Sequence, residues 1–377
     1  MKWVVKIVLI VSCFSFPEEN KHPEIVRLHE PSFPGKVDKI IPHAINFSDT
    51  IHSDTLYEYI LPDGFPVMYA RNIPTEVCID NECRPVNIRL FWNSTGRYLG
   101  YKLPEGEFLS KTKHTPFTAE EYDRLHTLLG DPLSPLAHYK ITELVNAKDS
   151  AKTAVDAVSS ATIAAVLDYI VPGAVYTTYI LWHIVYGETK REIELRTSAK
   201  LTPAQVIKFL DSEILEDKVW VLNHIPKEMP VTGELLDKLL QLISENDIYL
   251  AERALFAIPP ERLTSEVQLR LIGSFKTAAM LQKKLIAEKL SQTPELQPQP
   301  AELLSGELVN LNGTLIKHIL ELFETQNIES EQVNNEVALL LNNKNRYIAS
   351  RAVQFLESRE VLDKKTEKKL DKYRKKN

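Results

Sequence analysis

Several of the arrangements on which enzyme chemistry depends are missing from this 377-residue sequence. Glycine is scarce, 12 residues in all, and none of them builds the glycine-rich loop that cradles a nucleotide phosphate. There is no nucleophile elbow and no pair of histidines at metal-ligand spacing, which leaves hydrolase and zinc-enzyme readings without residues. A basic body is missing too. Residues 364–377 carry eight Lys or Arg against Glu367 and Asp371, so the overall charge of −6 leaves the remainder near −12. Nucleic-acid binding needs a clustered positive surface. The short basic segment reads instead as a frayed, solvated helix end, and no nucleic-acid partner is expected.

Cysteine is limited to Cys13, Cys78 and Cys83. The first follows a positive start, Met1-Lys2-Trp3-Val4-Val5-Lys6, and a short apolar stretch ending Ile10-Val11-Ser12. That order reads as a signal peptide over residues 1–13. Ile10-Val11-Ser12-Cys13 resembles a lipobox, which implies Cys13 as the lipidated first residue of an exported bacterial protein, periplasmic or on the outer face of a membrane. The rival is a cleaved secretory peptide with Cys13 lost. In an oxidising compartment the even pair Cys78 and Cys83 is expected to form a disulfide stapling a hairpin end, because Asp80-Asn81 between them is turn chemistry. A redox-active pair is the alternative.

A fold class of α+β followed by all-α emerges along the chain. Residues 14–50, with scattered Pro, His and Asn, read as a tether leaving the membrane surface. From Thr55 to Tyr101 short apolar runs alternate with turns at Pro62-Asp63-Gly64 and Asn93-Ser94-Thr95-Gly96. These are strands of an antiparallel meander. Thr118-Ala119-Glu120-Glu121 is a capping box leading into Tyr122, Leu125, Leu128 and Leu129 at helical spacing. Residues 51–195 are therefore expected to form an α+β domain with an antiparallel sheet. Within it, Tyr169 to Gly187 holds no charged residue, but Pro172-Gly173, four tyrosines and His183 argue for a buried helix after a turn and against a membrane span.

From about residue 200 to 377 the pattern is helical, and it repeats. The run from Asn246 to Leu255 resembles that from Lys344 to Val353, and weaker copies start near Glu216, Lys276 and Asn312, at steps of 30, 30, 36 and 32 residues. The long step contains the Pro-rich stretch Thr293 to Pro300, expected as an insertion. A period near thirty with two helices per unit resembles a HEAT-type α-solenoid. Arrays of that kind usually bind other proteins, which implies a protein partner on the repeats. Tyr249, Ala251 and Ala254, like Tyr347, Ala349 and Ala352, are expected to face neighbouring helices.

Between the halves lies Asp156-Ala157-Val158-Ser159-Ser160-Ala161-Thr162. From the residues alone, Ser159 or Ser160 is a helix N-cap and Thr162 sits in the first helical turn, where free backbone N–H groups suit a phosphate. The segment also resembles the flavinylation motif of the FMN-binding domain family, whose pattern is Asp, two residues, Ser or Thr, Gly, Ala, Thr. Asp156, Ser159, Ala161 and Thr162 match it, and Ser160 stands in place of the glycine. The resemblance implies FMN joined through its phosphate to Thr162 by a flavin transferase, with a redox partner to exchange electrons. His183, beside Trp182, is the candidate side chain to line the flavin. Two functions follow: a membrane-anchored electron-transfer protein carrying covalent FMN, or a lipid-anchored interaction scaffold without cofactor. A secreted glycoprotein, suggested by triplets at Asn46, Asn93 and Asn312, is a third.

Overall fold

A computed structural model describes residues 23–33, 35–47, 55–75, 85–111, 114–144, 166, 168–245 and 247–376. The chain divides into two compact units between Leu195 and Arg196. The first is built on a six-stranded antiparallel sheet of order β1-β6-β5-β4-β3-β2, formed by β1 (Ile25–Leu28), β2 (Lys39–Ala44), β3 (Thr55–Ile60), β4 (Pro66–Thr75), β5 (Val86–Asn93) and β6 (Tyr98–Leu103). β3 to β6 are the expected meander. The stretch read as a tether contributes both edge strands: β1 pairs with β6, and β2 with β3. Its periodicity is weak because an edge strand buries little, and both β1 and β2 alternate only between exposed and half-buried positions.

Period-two alternation decides which residues enter the core. Leu56, Tyr69, Ile73, Ile88, Leu90, Trp92, Tyr101 and Leu103 share one sheet face and pack with the helices, while Ala70, Phe91 and Leu99 form a smaller cluster on the other. The helices are α1 (Ala119–Leu129), α2 (Val175–Tyr186) and α3 (Glu188–Ser198). Thr118 and Glu121 close the expected capping box on α1, and Tyr122, Leu125 and Leu129 are its buried residues. A turn at Pro172-Gly173 precedes α2, with Gly173 at φ +82°. α2 is locked to the sheet where Trp92 Nε1 donates to the Val185 carbonyl at 3.0 Å.

Both turns at one end of the sheet follow their sequence signals. Phe65 N–H donates to Asp63 Oδ1, and Gly64 adopts φ +84°. Asn93 Oδ1 accepts from Thr95 N, Thr95 Oγ1 and Arg97 N, while its Nδ2 donates to Ser32 Oγ. Asn93 is thus buried with every polar atom engaged, and its glycosylation triplet cannot be used. The chain from β1 to β2 runs along this same end, past Asn93 and Arg97 at Ser32 and past Leu61 at Gly35. Where β1 docks, Gly100 faces it so closely that a Cβ would lie 2.0 Å from the Arg27 carbonyl oxygen.

The second unit is all helical. Its paired helices are α4 (Pro203–Leu210) and α5 (Leu215–His224), α6 (Gly233–Ser244) and α7 (Ile248–Ala257), α8 (Ser265–Thr277) and α9 (Met280–Leu290), α10 (Pro298–Ser305) and α11 (Gly313–Thr325), and α12 (Glu331–Val337) and α13 (Arg346–Glu357), followed by α14 (Lys364–Lys376). Each helix packs on the next but one: α4, α6, α8, α10 and α12 form one layer, α5, α7, α9, α11 and α13 the other. Second-layer helices start at Leu215, Ile248, Met280, Gly313 and Arg346, in steps of 33, 32, 33 and 33 residues. The five sequence copies mark these five helices, but their uneven steps are corrected. The Pro-rich stretch is no insertion: Pro298 and Pro300 open α10, where a missing N–H costs nothing.

Ala251, Ala254, Ala349 and Ala352 are buried as expected, whereas Tyr249 and Tyr347 are exposed. Each tyrosine is the second residue of its helix, and its backbone N–H is taken by the capping side chain of Asp247 or Asn345. The buried stripe therefore begins one residue later. Ala251→Asp, placing an unpartnered charge inside the array, is expected to cost about 3 kcal/mol or more, and Tyr249→Ser less than about 0.5 kcal/mol. Thermal denaturation followed by circular dichroism checks both.

Candidate functional site

The residues of the flavinylation motif, Asp156, Ser159, Ser160, Ala161 and Thr162, lie outside the described residues, as do Cys13, Cys78 and Cys83. Just after the motif, Val166, Ile170 and Val171 are core residues. Arg124 of α1 holds this stretch by its backbone: Nη2 donates to the Asp168 carbonyl at 2.8 Å and Nε to that of Ile170 at 3.1 Å. Val171 N–H donates to Thr178 Oγ1 of α2.

His183 lies on α2 between two rings, 4.1 Å from Tyr179 and 5.1 Å from Trp182 between centroids. Burial lowers its pKa, and a hydrogen bond to the Leu136 backbone opposes that shift. The polar ends of the neighbouring aromatics are already committed. Trp182 Nε1 donates to the Asp131 carbonyl, Tyr186 Oη to that of Leu129 and Tyr179 Oη to that of Tyr139, each at 2.9 Å. These three bonds dock α2 on the end of α1 and on the segment that follows it, as far as Tyr139. His183 Nε2, by contrast, is buried and has no hydrogen-bond partner among the described residues. It is the one polar atom of this aromatic group left to meet a ligand.

A second polar cluster is absent from the sequence reading. Glu58 is 1% exposed on β3, and its carboxylate accepts from Tyr69 Oη of β4 at 2.9 Å and meets His43 Nε2 of β2 at 2.8 Å. Arg71, fully buried on the same sheet face, donates to Thr189 Oγ1 of α3 at 2.9 Å and lies over the Phe47 ring at 3.8 Å. Alternation would have disclosed them: Glu58 falls between Leu56 and Ile60 on the inward face, and Arg71 between Tyr69 and Ile73. A buried carboxylate and guanidinium that are both hydrogen-bonded fix strand register and side-chain rotamers. Among the described residues no group of three or more His, Cys, Asp or Glu is placed to hold a metal ion.

A third cluster joins β1 to α1. His126 Nε2 meets His29 Nε2 at 2.9 Å, and Tyr98 Oη meets His126 Nδ1 at 3.1 Å. Beside them Arg27 pairs with Asp123. Two imidazoles in such contact cannot both be protonated without repulsion. Burial first, then His29 and Arg27, holds the His126 pKa down to about 4, with Asp123 opposing.

In the helical unit the outward stripe of α7 carries Tyr249, Glu252 and Phe256. Phe256 is 88% exposed and Tyr249 67%. Leu281 and Tyr347 hold the position of Tyr249, the second residue of the helix, on α9 and α13, and both are exposed. The sequence matches no protein-family model and no curated protein.

The histidine pair carries a pH dependence whose sign is fixed. The folded pKa of His126 lies below the ordinary histidine value, so between about 6.5 and about 4 the unfolded chain binds the extra proton. The contribution is fully present above that window and is lost as pH falls through it. His126→Gln is expected to flatten the pH dependence of stability across this window; equilibrium urea unfolding at a series of pH values measures it.

Proposed function

We propose that this protein is an interaction scaffold whose helical array docks a protein partner on the outer face of its second layer. The observation that carries this reading is Phe256, held out to solvent with Tyr249 on the same stripe of a helix whose opposite stripe, Leu250, Ala251, Ala254 and Leu255, is buried. Exposed apolar residues scattered singly are ordinary, but Tyr249, Leu281 and Tyr347 recur at the second position of three helices of one layer, and Phe256 adds to the apolar surface of α7. Rigid aromatic anchors carry much of the affinity of protein interfaces, and each one seated in a partner's pocket contributes about 2 kcal/mol or more. The array presents them on ordered helices, so little backbone freedom is lost on docking. A photo-crosslinking phenylalanine placed at 256 or 249 is expected to give one adduct of defined mass in cells, and the same group at Gln241 on the first layer none. Equal labelling at all three positions would sink the reading.

A second reading rests on the motif at 156–162 and on the unpartnered ring nitrogen of His183. In it the chain is exported, anchored by a lipid on Cys13 at the outer face of a bacterial membrane, and carries FMN on Thr162 after the action of a flavin transferase. FMN would supply electron transfer to a redox partner, and Thr162 would supply only its hydroxyl oxygen as the attachment point. His183 Nε2 would hydrogen-bond the polar edge of the flavin. Coexpressed with the transferase, the protein is expected to fluoresce on a denaturing gel and Thr162→Ala to be dark. Ser160→Gly should raise occupancy. A dark unmutated protein and a dark Ser160→Gly variant beside a flavinylated control would leave the scaffold reading alone.

A further inference from the structure

The basic segment read from the sequence as a frayed end is an ordered helix with one packed seam. Asp363 Oδ1 accepts from the N–H groups of Lys365 and Thr366 and caps α14, while Thr366 and Leu370 are buried. Thr366 Oγ1 donates to Asn335 Oδ1 of α12 at 3.3 Å, which fixes the rotation of the helix about its axis. Lys364, Lys368 and Lys372 then follow one another at intervals of four on one side, with Lys365 and Lys369 beside them, around a single shallow depression. The ion pairs of α14 are made by Arg374, with Glu357 and Asp371. Among the described residues Lys365 lies near the Asp363 carboxylate that caps the helix, and Lys364, Lys368, Lys369 and Lys372 form no ion pair.

Like charges four residues apart destabilise a helix, so this face is built against its own repulsion and is relieved by negative charge from outside. The kind of cation indicates what that charge is. Planar guanidinium forks suit bidentate recognition of phosphopeptides and base edges, and the one Arg of α14 is already tied to carboxylates. Stacking on single-stranded nucleic acid needs exposed aromatics, and the only one on the helix, Tyr373, is half-buried. Lysines on long flexible stems act as diffuse point charges. They match a surface whose negative groups are many and laterally mobile.

We propose that α14 docks on an anionic lipid bilayer through Lys364, Lys368 and Lys372, with Lys365 and Lys369 flanking them. The contact is electrostatic and leaves the helix on the membrane surface, since its apolar residues are spent on packing against the array. It does not depend on partner docking at Phe256 or on a lipid at Cys13.

The test uses the full-length chain carrying Cys13→Ser, so that no lipid contributes, in cosedimentation with vesicles of phosphatidylcholine alone or mixed with phosphatidylglycerol. Binding is expected only with phosphatidylglycerol present and only at low salt. Lys364→Gln, Lys368→Gln and Lys372→Gln combined should weaken it about 100-fold, at roughly fivefold per lysine, with unchanged helix content by circular dichroism. The corresponding triple Lys→Arg variant should retain it. Binding that is equal on both vesicles, absent from both, or unaltered by the Gln variant overturns the proposal. So does binding of a duplex DNA at the same salt without binding of vesicles.

Discussion

Most of the described helices and strands carry an apolar face, and the need to cover it sets both architectures. In the first unit the sheet presents Leu56, Tyr69, Ile88, Leu90 and Trp92 on one side, and α1 and α2 close over them as a single mixed core. In the second unit no helix pair can bury its own stripe. Each layer is covered by the next pair along, and this produces helix starts 32 or 33 residues apart. The buried alanines of α7 and α13 belong to this constraint, because small side chains let adjacent helices of one layer approach.

Polar groups inside these cores follow the same logic. Gln268 on α8 donates from Nε2 to the Leu263 and Glu295 carbonyls and accepts the Gln297 N–H, satisfying backbone groups between successive repeats. Lys289 on α9 donates to the Ile258 carbonyl and to Gln292 Oε1, and burial draws its pKa down to about 8. In the sheet, Glu58 and Arg71 are each given hydrogen-bond partners on neighbouring elements. All of these side chains join segments that hydrophobic contact alone would leave free to slide.

Much of this was legible in the sequence because the signals are local. The capping box at Thr118, the turns at Gly64 and Gly96, the meander and the helix after Pro172-Gly173 each rest on residues within one element. What escaped depends on partners far away. β1 is recognisable only through β6, with Ile25 opposite Leu103, and the inward placement of Glu58 acquires meaning only beside Tyr69 and His43. The exposure of Tyr249 turned on one residue of helix phase, set by the Asp247 cap. The motif around Thr162 lies outside the described residues.

The route of the chain around the sheet also sets an order of events. β1 and β2 come first in the sequence yet occupy opposite edges, and the connection between them lies against turns that exist only once β3 to β6 have paired. β1 therefore has no strand to join until β6 is in place, and its pairing with β6 closes a loop of more than seventy residues. Such non-local closure is slow relative to hairpin formation. β2 joins β3, the strand that follows it, whereas β1 waits for β6, so the first strand in order is the last of the sheet to find its partner.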